Sequence, residues 1–260
     1  MKFDHIVHYV INPSEALQTL KDQGVFGKLG GEHEKLGTYN TLVYFQLKYL
    51  ELLGFKDVKT IKQNEEQIVS FRPLRHVVND AKREGFIEIA LRVEGLQNIA
   101  DSFTKKGLIV YGPTALSRKT PAGNELKWEL LHVEGDPELE VPLPFFIDWK
   151  MSDEERLANL KQSGYLDEGN LDITHIYIAV NSFEHSVDKW KYYLNVAEVE
   201  LELPLSHPYK VLQIDGTYFI FELRQEDTIT GFYKVTFLHQ TVSASFSLCG
   251  AKYEIITNNE

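Results

Sequence analysis

The sequence predicts an α+β fold made of repeated βαβββ modules, and three observations carry that expectation. Strand-length apolar runs are followed by short helical stretches at three places along the chain. The runs that close these units end near an acidic residue, in the same order each time. A fourth stretch, 231–238, repeats the start of a unit but lacks its helix.

Residues 3–11 are β-branched and aromatic and end at Asn12-Pro13-Ser14, so a strand leads into a helix with Asn12 as cap and Pro13 as first helical residue. That helix stops at Gly24. A polar, Gly-rich loop is expected over 27–40, then strands over 39–46 and 47–55. Residues 56–84 read as helical, broken at Pro73. A strand over 86–93 and a helix over 96–106, ended by Gly107, come next. Strands are expected over 108–111, 115–120 and 126–133, with a last one at FFIDW. Ser152 and Glu155 make a capping box for a helix over 153–163. Residues 164–172 read as a linker. THIYIAV and SFEHSVDKWKYYLN form the third strand-then-helix unit, with strands over 210–214 and 217–223, and 232–257 reads as strands alone.

Aligned, DHIVHYV (4–10) and THIYIAV (174–180) place His5 on His175, and IEIALRV (87–93) places Glu88 at the same position. GFYKVTFL (231–238) falls without gaps on GFIEIALR (85–92), with Lys234 at Glu88. YLEL (49–52) matches IFEL (220–223), and FFIDW puts Asp148 at the Glu51 position. The modules divide the chain into 1–151 with two modules, a helix and linker over 152–171, and 172–260 with a third module and a degenerate fourth.

The 260 residues allow a sizeable core, and 43% hydrophobic and 25% charged residues are ordinary for a globular chain. A formal charge of -11 argues against a nucleic-acid partner. No run of about 18 apolar residues is present, so no membrane span is expected. A lone cysteine, Cys249, excludes an internal disulfide and suits a cytoplasmic protein. In SFSLCG it reads as a small core residue.

These residues together resemble the vicinal oxygen chelate superfamily, of the glyoxalase/bleomycin-resistance type. The resemblance rests on FDHIVHY, on the loop GGEH followed by GTYN, on YLEL, on KWELL and on PFFIDW; it covers about 3–150 well and the rest weakly. It implies paired modules forming a half-open sheet around a pocket. It also implies a glyoxalase-like protein, an isomerase or lyase using a divalent metal (Mn, Ni, Zn or Fe) on a small carbonyl-containing metabolite. The ligand positions it implies are His5, Glu51, Glu88 and Asp148. Three carboxylates with one histidine depart from the usual set of the superfamily. The alternative on the same fold is a metal-free protein that binds or sequesters a small molecule. Whether modules pair within one chain or across a homodimer stays open.

Strand parity puts residues 5, 7 and 9 on one face and 4, 6, 8 and 10 on the other, so His5 and His8 cannot both be ligands in an unbent strand. His5 alternatively reads as a core-edge histidine bonded to a neighbouring carboxylate. Glu51, flanked on its face by Tyr49 and Leu53, is costly to bury unless paired, and reads as a catalytic base or ligand. His33, after two glycines, reads as a catalytic group on a loop over the pocket, or as surface. Asn40, Arg92 and Trp128 are the candidate substrate-binding residues; a turn, a structural ion pair and a core position are their plain alternatives. His175 and Glu222 repeat the His5/Glu51 pattern, but Lys234 would repel a cation and is expected to pair with Glu222.

Overall fold

The computed structural model describes residues 1–33, 37–56, 83–119, 125–225 and 229–258, with only the backbone of Arg118 and Lys119. The helical expectation over 56–84 therefore lies almost wholly outside the described residues.

The first module is β1 (Lys2–Tyr9), α1 (Pro13–Asp22), β2 (Lys28–His33), β3 (Thr38–Phe45) and β4 (Lys48–Phe55). Asn12 caps α1, its Oδ1 accepting from the Ser14 and Glu15 N–H groups at 3.2 and 3.3 Å, with Pro13 in the first turn. The expected loop over 27–40 is instead a hairpin of β2 and β3. Gly30 sits at its register shift, where a Cβ would collide with Asn40 Oδ1 and with Leu42. The glycine admits a close side-chain approach within a strand.

The second module is β5 (Gly85–Arg92), α2 (Leu96–Lys105), β6 (Ile109–Lys119), β7 (Glu125–Glu134) and β8 (Phe145–Asp148). The two strands expected over 108–120 are one strand with a register shift between Tyr111 and Thr114. Helix α3 (Asp153–Gln162), capped by Ser152, leads to the second half. There β9 (Asn170–Val180), a π-turn over Glu184–Asp188, α4 (Lys189–Leu194), β10 (Glu198–Val199), β11 (Tyr209–Ile214) and β12 (Thr217–Leu223) form the third module. The fourth is β13 (Gly231–His239), β14 (Ala244–Leu248) and β15 (Ala251–Ile256), without a helix.

Modules pair within the chain. The first sheet has the order β2-β3-β4-β1-β5-β8-β7-β6 and the second β10-β11-β12-β9-β13-β15-β14. In each, two first strands lie antiparallel at the centre and each is flanked by the parallel last strand of its own module. The fold is α+β, with repeated βαβββ modules.

One apolar core runs through both halves. It takes in one face of each sheet and the helices, with Phe3 against Phe219 and Phe45 against Phe237, the ring centroids 5.8 and 4.5 Å apart. His8 points into it and bonds to Tyr253 Oη at 2.5 Å and to the Cys249 carbonyl at 2.9 Å. Burial holds the His8 ring down to a pKa of about 4, so it stays neutral at physiological pH. Cys249 itself is half-buried at a left-handed turn position (φ 45) between β14 and β15, and burial pushes its thiol up to about 11. Among the described residues no helix is long and apolar enough to cross a membrane.

Candidate functional site

The other face of the first sheet carries a separate apolar cluster, with Val7, Leu42, Tyr44, Tyr49, Leu53, Ala90, Phe145 and Trp149 among its members. His5, Glu51 and Glu88 project from the same face. Pairing across the strands gives two adjacent rows. One runs Tyr44, Tyr49, His5, Ala90, Phe145; the next runs Leu42, Glu51, Val7, Glu88.

His5 is held on both sides. Its Nδ1 lies 2.8 Å from Asp4 Oδ1, its ring stacks on Tyr49 with centroids 4.2 Å apart, and its Nε2 faces Glu51 Oε2 at 3.7 Å. Asn40 Nδ2 donates to Glu51 Oε1 at 2.6 Å. The result is a line, Asp4–His5–Glu51–Asn40.

Asp4 breaks the expected parity. The β1–β5 register shifts between Phe3 and His5, and this bulge leaves Asp4 beside His5 rather than with Ile6 and His8. The carboxylate is fully buried. It accepts from Arg92 Nη1 at 2.9 Å, Arg156 Nη1 at 2.8 Å and Trp149 Nε1 at 3.0 Å. Burial alone would raise its pKa; Arg156, the His5 hydrogen bond and Arg92 outweigh burial and hold it well below the carboxylate range. An ionised Asp4 only accepts, so His5 Nδ1 is the protonated nitrogen, and in the neutral ring Nε2 presents its lone pair to Glu51. At 3.7 Å these two acceptors are too far apart to bond directly. Their arrangement favours a proton or a proton-bearing ligand between them.

Glu88 has a different environment. It is 8% exposed, and its Oε2 has no hydrogen-bond partner among the described residues. Burial pushes its pKa well above the ordinary 4.5. A raised carboxyl pKa gives stability that is full below the ordinary value and lost as pH rises through the raised one. Glu88→Gln removes that dependence. It is therefore expected to stabilise the protein by about 1–3 kcal/mol near pH 8 and by less near pH 5, read by urea unfolding. An equal effect at both pH values would show that Glu88 ionises freely.

The remaining candidates lie apart from this line. Asp148 is on the opposite face from Phe145, Ile147 and Trp149, bonded to the Gly95 N–H at 3.1 Å and to Lys150 Nζ at 2.9 Å. The registers put Phe145, not Asp148, at the place in the second module that Glu51 holds in the first, three residues from where the sequence match put it. His33 bonds Thr38 Oγ1 at 3.0 Å at the far end of the hairpin, and Thr38 lies opposite Phe55, two same-face positions beyond Glu51 on β4. Arg92 is committed to Asp4 and, through Nε at 2.9 Å and Nη2 at 3.2 Å, to Asp153. Trp128 is half-buried on this face, with its ring 6.0 Å from that of Trp149.

Among the described residues the donor set falls short of a gathered divalent-ion site. Of the four positions where the paired modules converge, three are His5, Glu51 and Glu88 and the fourth is the phenyl ring of Phe145. Among the described residues no three His, Cys, Asp or Glu side chains gather as ligands.

The second sheet carries a different set at the matching positions. His175 lies opposite Tyr218, which makes Ile220 the counterpart of Glu51 and moves Glu222 one same-face position further along. Lys234 does match Glu88, but it pairs with Glu254 at 3.2 Å rather than with Glu222, and stands 3.8 Å from the Tyr177 ring centroid. Glu222 instead bonds His207 Nε2 and the Tyr233 hydroxyl, at 2.5 and 2.8 Å. Leu201, Leu203 and Leu205 pack on this face and take up the space.

Three site residues were not among the sequence candidates. Asp4 stood in an apolar strand, a signal in itself. His132 was legible from alternation with Leu126, Trp128 and Leu130; its ring stacks on Phe145 at 5.1 Å. Arg156 was not legible, because its helix DEERLANLKQ reads as solvent-facing.

The glyoxalase-like domain family matches residues 3–194, well over half of the chain. The chain belongs to this family. Among solved structures, this glyoxalase-like chain is similar to a hypothetical protein from Staphylococcus aureus, with 24% identity, a TM-score of 0.85, and 98% of this chain and 99% of that one covered. That likeness shows the same fold over both halves. A methylmalonyl-CoA epimerase from Mycobacterium tuberculosis has 13% identity and a TM-score of 0.35, with 56% of this chain and 85% of that one covered. A fusion of a xylose isomerase-like TIM barrel with 4-hydroxyphenylpyruvate dioxygenase has 12% identity and a TM-score of 0.49, with 91% and 36% covered. No curated protein matches the chain.

Proposed function

We propose that this face of the first sheet binds a small carbonyl-containing metabolite and moves a proton at the carbon beside the carbonyl, as an isomerase or lyase of the glyoxalase-like type. The observation that carries the reading is His5, fixed by Asp4 through Nδ1 at 2.8 Å, with Nε2 turned to Glu51 at 3.7 Å. A base held in one tautomer by a buried carboxylate is oriented for proton transfer. Asn40 fixes the Glu51 carboxylate beside it. Glu88, whose protonated form burial favours, supplies a hydrogen bond to a carbonyl oxygen as charge develops there. No step passes through a metal.

The test is solvent exchange in heavy water. Small carbonyl metabolites are incubated with the protein and deuterium at the α-carbon is read by NMR, with and without added manganese, nickel, zinc or iron. Exchange without added metal is expected, lowered roughly 100- to 10,000-fold in His5→Gln and Glu51→Gln. Exchange that appears only with a metal would replace the base reading by a chelate reading. Saturable binding with no exchange under any condition would favour a sequestering protein, which the aromatic wall of Tyr44, Tyr49, Phe145 and Trp149 also suits.

A further inference from the structure

Helix α3 lies between the two halves, yet one of its side chains reaches the face that carries His5. Arg156 is 4% exposed. Its Nη1 donates to Asp4 Oδ2 at 2.8 Å, and its guanidinium stands 4.3 Å from the Trp149 ring centroid and 5.8 Å from that of Tyr49. Asp4 therefore bridges Arg156 and His5, one on each carboxylate oxygen.

The second terminal nitrogen is different. Arg156 Nη2 is buried and has no hydrogen-bond acceptor among the described residues. A guanidinium normally uses its fork on carboxylates or phosphates, and a buried cationic N–H without an acceptor is costly. Arg92, beside it, makes the contrast: its Nε, Nη1 and Nη2 all reach Asp4 or Asp153.

We propose that Arg156 anchors a carboxylate of the ligand through Nη2, so that the site takes small carbonyl compounds that are themselves acids. The inference rests on the proton-transfer reading for the identity of the reacting carbon, but not for the anion. Entry requires the linker wall to shift, since Tyr165 and Leu166, which follow α3, pack on the same face. Once seated, the carboxylate is shielded from water, where a charge-assisted pair is stronger than at the surface. The linker helix thus sets specificity, while the first two modules supply the line that moves the proton.

The probes are pyruvate, 2-oxobutyrate and acetoacetate, each against its primary amide, titrated to millimolar concentration with tryptophan fluorescence as readout. The wild-type chain is expected to bind at least one acid roughly 10- to 100-fold more tightly than its amide. Arg156→Lys keeps a cation for Asp4 but loses the planar fork, and is expected to abolish most of that preference. The wild-type comparison needs no variant, so a poorly folded Arg156→Lys protein leaves the test standing. Acids and amides binding alike, no acid binding at millimolar concentration, or a preference untouched in Arg156→Lys would each overturn the proposal. The heavy-water assay separates the two readings. Selective acid binding without exchange removes proton transfer and keeps the anion anchor; exchange indifferent to the carboxylate does the reverse.

Discussion

Asp4→Asn is expected to destabilise the protein by about 3–5 kcal/mol, because it removes the one carboxylate that neutralises two buried guanidinium groups. Arg156 Nη2 is already buried without an acceptor among the described residues, and Arg92 keeps Asp153. An asparagine fills the same volume, and with its one carbonyl oxygen at the Oδ2 position it still accepts from Trp149, while its amide nitrogen faces His5 Nδ1, so the loss reports charge and hydrogen bonding rather than a cavity. The pH dependence follows from the sign of the shift. The Asp4 carboxyl is held below its ordinary 3.8, so its stabilisation is complete above that value and disappears as pH falls through the depressed one. Urea unfolding of both proteins at neutral pH and in acid gives the measurement. The difference should shrink as acid removes the contribution from wild type. A loss below about 1 kcal/mol at neutral pH, the size of an exposed pair, would show that Asp4 is not a buried charge hub. The ring signals of His5 should also shift in Asp4→Asn, since the partner that fixes its tautomer has changed.

Trp190→Ala is expected to cost about 3–5 kcal/mol and to lower the stability of both halves together. Trp190 is fully buried, with the rings of Phe219 and Phe221 centred 6.0 and 5.3 Å away. Its Nε1 donates to the Val141 carbonyl at 3.3 Å, and Val141 belongs to the second module. Other bonds join the same regions: Lys189 to Asp136 at 2.9 Å and Tyr193 Oη to Asp136 at 2.8 Å. A core continuous through both sheets predicts one unfolding transition in wild type and in the variant, with coincident tryptophan fluorescence and circular dichroism curves. Two separated transitions, with only one moved by the substitution, would show that the halves fold independently.

How far the sequence reached depended on whether a feature was local. Caps and strand periods were legible because they depend on neighbours a few residues apart: Asn12 and Ser152 cap where expected, and the strand alternation separated His5 from His8. Repeat matching of first strands also held, as the gapless overlay of 231–238 on 85–92 put Lys234 in register with Glu88. Matching of last strands failed. Glu222 is two residues, and Asp148 three residues, from the place equivalent to Glu51, because short apolar runs slide along one another with little loss of similarity. An odd slip also turns the side chain to the other face, which is the fate of Asp148. The strand over 28–33 was read as part of a loop because glycines mark turns more often than they admit a side chain such as Asn40.

The sequence by itself determined the α+β class and the fourfold module plan, since periodicity, caps and repeats are written in local residue order. Only the tertiary structure decided which charges meet. The bulge that turns Asp4 beside His5, the phenyl ring in place of a fourth donor, and Arg156 arriving from a helix that reads as solvent-facing all depend on contacts between residues far apart in the chain, 88 positions for Arg92 with Asp4 and 152 for Arg156 with Asp4. Electrostatic energy depends on separation in space, and no pattern along the chain encodes it.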